Sequence, residues 1–236
     1  QQMYTMVDTA VVGKVLGVDA LAALGAVDWL NWLTLGIIQG FAQGFSILMA
    51  QKFGAGEYGR LRQVITNSIV LAALCAVSLT LVSELAVGAV VSLLRTPLEI
   101  RPISMAYLRI LFAGLPVVMV YNLAAAVLRA LGNGRKPLIA MVIASLTNIG
   151  LDFLFVMGFG WGVQGAAIAT LIAQCLSAAY CIWHICQIEA LQLGREDWKL
   201  EGALCGRLMT FGLPMAFQNT VISVGGMIVQ TIVNGF

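Results

Sequence analysis

Charge is scarce in this chain. Only 10% of its 236 residues are Asp, Glu, Lys or Arg, against about 25% in soluble domains, so a water-soluble globule is excluded. Histidine occurs once, as His184, at the inner end of an apolar run where it reads as interfacial. The five cysteines (Cys75, Cys175, Cys181, Cys186, Cys205) form no C-x-x-C pair. They read as small apolar helix residues rather than redox or zinc ligands. Net charge is +2 with no basic cluster interleaved with aromatics, which argues against a nucleic-acid partner. The chain lacks an H-E-x-x-H motif, a Ser/His/Asp set and a Gly-Lys-Ser/Thr loop ending, so neither an enzyme nor a cofactor is expected. What remains is 60% hydrophobic with mean hydropathy +0.94. That composition is read as an all-α polytopic membrane protein whose constant partner is the lipid bilayer.

The stretch 137–158 carries the most information. It is long and apolar enough to cross a bilayer, which takes roughly 20 such residues. Yet it holds Asp152, with Asn148 four positions earlier, so both side chains lie on one helix face. An acid at membrane depth costs about 2.5–3.5 kcal/mol and generally faces a bundle interior or a wet cavity. Asp152 therefore marks a functional site, and its partners should lie elsewhere in the chain.

Apolar runs punctuated by Gly, Pro and charge predict seven spans, near 1–16, 22–53, 61–94, 103–131, 137–158, 163–187 and from Leu208 onward. The chain starts at Gln1 and stops at Phe236 inside an apolar run, so it is read as a fragment truncated at both ends. Connections after the even-numbered spans hold Lys52, Arg60, Arg62, Arg129, Arg135, Lys136, Arg195, Lys199 and Arg207. The others hold only Lys14, Arg95, Arg101 and Arg109. The positive-inside bias places the first group in the cytoplasm. Residues 188–207 are the longest polar stretch, read as a cytoplasmic linker with a short surface helix around Trp198.

Residues 6–13 and 228–235 share Val, Thr, Val and Gly at four of eight aligned positions. Six spans separate the two copies, so both would run in the same direction, as in parallel transporter repeats. The expected parent has twelve helices in two six-helix lobes. On this reading 1–187 is the first lobe, 188–207 the linker and 208–236 the start of the second lobe. Gln230 stands where Asp8 stands in the first copy, so the lobes would differ chemically.

Few polar residues lie inside the spans. At 1.5 Å per residue, Asp8, Asp152 and Thr170 fall about 9–12 Å inside the outer boundary, with Asn148 and Tyr4 one turn deeper. These five can converge. Asn122 counts deeper still and joins them only if the fourth span kinks near Pro116. Two carboxylates in a dry cleft cannot both ionise cheaply, so such a pair would hold a proton near neutral pH. With amide and hydroxyl oxygens beside them, Asp8, Asp152, Asn148 and Thr170 could instead ligate Na⁺. The plain alternative is interhelical glue, which for Asn148, Asn122 and Thr170 weighs evenly with function. Asp28, Asn31, Gln39 and Gln43 are candidate lining residues of a central cavity. Glu84 is expected near the outer third of its span, paired with Arg95 or Arg101. The glycines around Gly36, Gly40, Gly44, Gly162 and Gly165 read as close-packing positions.

The residues Met6-Val-Asp-Thr-Ala-Val-Val-Gly13, Ala20-Leu-Ala-Ala-Leu-Gly25, Ala50-Gln-Lys-Phe-Gly-Ala-Gly56, Leu128-Arg-Ala-Leu-Gly-Asn-Gly134, Asn148-Ile-Gly-Leu-Asp152 and Gly162-Val-Gln-Gly-Ala-Ala-Ile-Ala-Thr170 stand in one order along the chain. In that order and spacing the chain resembles the first lobe of the multidrug and toxic compound extrusion (MATE) transporters. The resemblance implies two lobes around a cavity of alternating access, and export of cationic or amphiphilic compounds in exchange for H⁺ or Na⁺. It also implies a first-lobe ion site at Tyr4, Asp8, Asn122, Asn148, Asp152 and Thr170. The expected protein is a secondary active antiporter in a cell membrane, most simply the bacterial inner membrane, binding a small-molecule substrate and monomeric at full length. A lipid-linked oligosaccharide flippase of related architecture, with Arg109 contributing to a cationic cavity, is the alternative. A membrane scaffold that transports nothing is the third reading.

Overall fold

In hydrocarbon every backbone amide needs an internal partner, so apolar runs of this length must be helical. The computed structural model describes the backbone of residues 18–93 and 101–233, and it is helical almost throughout. In chain order the long helices are α1 (Val18–Gly54), α2 (Tyr58–Leu93), α3 (Arg101–Ala113), α4 (Leu115–Ala130), α5 (Arg135–Asp152), α6 (Gly162–Cys186) and α7 (Gly202–Val233). Four segments are long and apolar enough to cross a membrane, namely Leu30–Gly54, Tyr58–Ala89, Arg135–Gly158 and Gly162–Cys186. The pair α3 and α4, bent by 44° at Gly114, counts as a fifth. These are the second to sixth expected spans. The kink expected near Pro116 falls at Gly114, where Pro116 occupies the first turn of α4 and cannot supply the amide that would continue α3.

Two of the quoted motifs are helix stops. After α1 the amide of Gly56 donates to Phe53 O and that of Glu57 to Lys52 O; after α4 Gly132 donates to Arg129 O and Asn133 to Leu128 O. Each is a Schellman ending, and both need left-handed backbone, which Gly56 (φ +71°) and Gly132 (φ +79°) supply. The turn after α1 is closed by an ion pair of Lys52 with Glu57 at 2.7 Å. That ammonium holds the Glu57 carboxyl below the usual carboxylate range.

Helix α1 is central and packs on α2, α3, α4 and α7, while α6 packs on α4 and α5. One core cluster joins α1, α2, α3, α4 and α7 through side chains such as Phe45, Leu48, Leu61, Leu108, Phe112 and Leu208. The α4–α5–α6 contact is built from smaller residues, including Ala124, Ala125, Ala140 and Ala178, which lets these helices approach closely. The glycine stripe of α1 does the same against α7. A Cβ at Gly40 would sit 2.3 Å from the Ala216 Cα, and one at Gly44 2.5 Å from the Gly212 Cα.

The polar stretch 188–207 is strapped to the start of α2. Its expected surface helix is a 3-10 turn, Arg195–Trp198. Arg62 Nε donates to Asp197 Oδ2 at 3.2 Å, the Thr66 hydroxyl donates to Asp197 O, and Arg60 pairs with Glu201 at 2.9 Å. Asn67, buried beneath, uses its whole amide. Nδ2 donates to Gln63 O and Lys199 O, and Oδ1 accepts from Glu201 N and the Cys205 thiol. Asn67→Ala removes all four bonds, so limited proteolysis should nick the 189–200 stretch several-fold faster than in wild type. An unchanged nicking rate would show that the strap does not depend on Asn67.

Some polar expectations shift. Arg101 donates to Gly88 O at 3.3 Å, one turn from Glu84, rather than pairing with that acid, and Arg95 lies outside the described residues. His184 is half-buried and packs against Tyr180 and Trp183, with ring centroids 4.6 and 4.7 Å away. All five cysteines are free thiols.

Candidate functional site

Asp152 ends α5 and is fully buried, at 0% exposure. Directly after it the chain leaves α-helical geometry for a π-helical turn, Phe153–Gly158. A π-turn admits an extra residue per turn and often marks a functional position. Uniform hydropathy across 137–158 gave no sign of it. The turn is held from outside by an aromatic trio, with Phe155 stacked on Trp161 at 5.0 Å and Phe159 on Phe155 at 6.0 Å. Gly165 of α6 makes room for it: a Cβ there would lie 3.1 Å from the Cβ atoms of both Phe155 and Trp161. The expected close-packing role of Gly165 thus lies just outside the acid.

One turn inward on the same face, Asn148 is 1% exposed. Its Nδ2 donates to Thr170 Oγ1 of α6 at 3.3 Å, and that hydroxyl donates its only proton to Ala166 O at 3.1 Å. Because Thr170 has no second proton to give, the Asn148 atom facing it must be the amide nitrogen. Oδ1 therefore faces away, and it has no hydrogen-bond partner among the described residues. A buried acceptor left so costs about 1–3 kcal/mol. Asn148 and Thr170 are thus in contact, and Asp152 shares their seam.

Asn122 is buried on α4, with Nδ2 donating to Val118 O in its own helix at 2.8 Å. Tyr4 and Asp8 lie outside the described residues, as does the side chain of Asp28. Of the cavity-lining candidates on α1, Asn31 and Gln39 are partly buried and Gln43 is exposed. Gln39 and Gln43 directly precede Gly40 and Gly44 at the contact with α7. Arg109 is exposed on α3, where it and Arg101 line a surface cavity of about 380 Å³. Among the described residues no three His, Cys, Asp or Glu side chains group as metal ligands. Among the described residues the seam offers a hard cation one acid, Asp152, and the neutral oxygens of Asn148 and Thr170.

Gln174 does not stand out in the sequence. It lies one turn inward of Thr170 on α6, 6% exposed, and its Oε1 has no hydrogen-bond partner among the described residues. A Gln at i+4 from a candidate ligand in an otherwise apolar span was the available signal.

Comparisons with known proteins agree with this architecture. The MatE family profile matches residues 1–154. A probable multidrug resistance protein of Bacillus subtilis, YoeA, is 26% identical over all of this chain and 53% of its own length. The probable multidrug resistance protein NorM of Thermotoga maritima is 27% identical over 95% of this chain and 49% of its own. Among solved structures, an outward-facing MATE-family transporter of the MOP superfamily superposes with a TM-score of 0.91 at 23% identity, over 98% of this chain and 52% of that one. The chain spans about half the length of the curated relatives it matches. With the helical fold and the profile match over most of its length, the chain belongs to the MatE family, the multidrug and toxic compound extrusion transporters.

Proposed function

We propose that this chain is the ion-coupling part of a secondary active antiporter that exports cationic or amphiphilic compounds in exchange for H⁺ or Na⁺. The observation that carries the reading is Asp152, wholly buried at the mouth of a π-turn on the seam that holds Asn148 and Thr170. A carboxylate removed from water is stable either protonated or beside a cation. Exchanging one cation for none changes the charge inside the seam, and a π-turn is an element that can answer by changing register. Such coupling requires that the ion bind one arrangement more tightly than the other. Tyr4, Asp8 and Asn122 complete the site in this reading.

On the same reading 1–187 form one lobe, 188–207 a cytoplasmic linker and 208–236 the beginning of a second lobe. The α1–α7 contact is then the seam between lobes, flanked by Asn31, Gln39 and Gln43, with Asp28 further along α1. The protein works as a monomer in a bacterial cell membrane. The test is full-length protein in sealed vesicles with a fluorescent lipophilic cation inside. An inward H⁺ or Na⁺ gradient should accelerate dye efflux, and collapsing it with an ionophore should return the rate to that of empty vesicles. Efflux indifferent to both gradients would overturn the proposal.

A further inference from the structure

Gln174 stands on α6 between two residues tied to α5. Thr170 accepts from Asn148, and Ser177 Oγ donates to Ala140 O at 3.0 Å. These contacts make α5 and α6 antiparallel and set Gln174 level with Ala144, whose methyl group offers it no partner. Two buried amide oxygens, Asn148 Oδ1 and Gln174 Oε1, therefore follow Asp152 along one seam without hydrogen bonds among the described residues. Their levels are about 6 Å apart by helical rise. Asn67, by contrast, is as deeply buried and makes all four of its hydrogen bonds. Interhelical glue does not account for Gln174 either, because among the described residues its oxygen joins nothing.

The chemistry of a neutral amide oxygen narrows what it awaits. It is too weakly basic to store a proton, but it is a hard donor suited to an alkali cation. Around it the seam is lined by small residues, Ala140, Ala144, Ala166 and Ala173, all buried. We propose that Gln174 is a Na⁺ ligand one turn inside the Asp152, Asn148 and Thr170 group, so that Na⁺ leaving Asp152 steps along the α5–α6 seam toward Ser177. This rests on the reading that Asp152 exchanges a cation.

The experiment is ²²Na⁺ binding to the full-length protein, comparing wild type with Gln174→Met, Gln174→Glu and Asp152→Asn. Gln174→Met keeps length and packing but removes the oxygen, so half-saturation should rise tenfold or more. Gln174→Glu keeps an oxygen and should retain Na⁺ affinity. Melting in Na⁺-free medium should be no lower for Gln174→Met than for wild type, since the variant removes an unpartnered buried acceptor, whereas loss of a purely structural amide would lower it. Unchanged Na⁺ affinity in Gln174→Met, or a wild-type protein that binds no Na⁺, overturns the assignment. Neither result touches the antiport reading, which fails separately if Asp152→Asn drives efflux at the wild-type rate.

Discussion

Asp152→Asn should abolish gradient-driven efflux by the full-length protein while leaving its insertion and yield intact. The substitution changes almost no volume at a position with no exposure, so packing survives. It also removes the charge whose burial costs about 2.5–3.5 kcal/mol, so insertion becomes easier. On the proposed coupling, what is lost is the ability to alternate between a cation-loaded and an empty carboxylate, and without differential ion affinity no gradient can bias the conformational equilibrium. Substrate binding without a gradient should persist. Asp152→Glu tests the geometry rather than the charge. One added methylene at a fully buried site costs about 1–3 kcal/mol, so partial, slowed efflux is expected. Wild-type efflux from Asp152→Asn would remove this acid from coupling.

Gly40→Ala should destabilise the protein by about 1–3 kcal/mol and slow transport, with Gly44→Ala close behind. The reason is steric and concerns backbone. The new Cβ would lie 2.3 Å from Ala216 Cα and 2.5 Å from Ala216 N, and at Gly44 2.5 Å from both Gly212 Cα and Phe211 O. No side chain can rotate away from such a clash, so α1 and α7 must separate. Gly88→Ala is the internal control. A Cβ there meets nothing within 4 Å, and Ala is the better helix former by up to about 1 kcal/mol, so its melting temperature should hold or rise. Equal melting of Gly40→Ala and Gly88→Ala would show that the α1–α7 contact is looser than described.

Asp152 was legible in the sequence because one acid in an apolar run stands out, and Asn148 because it stands one turn away. The Asn148–Thr170 pairing was only partly legible. Counting depth from span ends placed Thr170 level with Asp152, yet the contact runs one turn deeper, to Asn148. Depth counting assumes straight helices of fixed length, and the π-turn at 153–158 inserts extra backbone between Asp152 and the outer end of its span. Gln174 was missed because a single Gln costs little to place in a span, and only its burial without a partner sets it apart.

By itself the sequence determined that this is a helical membrane protein, where the second to sixth of its expected spans lie, that the fourth bends near Pro116, and which acid is costly enough to matter. Each of these follows from local chemistry, since hydrocarbon enforces helix, proline withholds an amide and a charge resists desolvation. It could not say which helix faces meet. Lipid-facing and core-facing side chains are both apolar here, Leu85, Phe217 and Leu146 being largely exposed while Phe45 and Leu108 are buried, so hydrophobic periodicity carries little information about partners. Tertiary structure alone decided that Gly40 meets Ala216, that Thr170, its one proton already given to Ala166 O, turns the Asn148 oxygen away, and that Gln174 is sealed beside them. Those are contacts between residues distant in the chain, set by close packing of small residues rather than by any pattern along it.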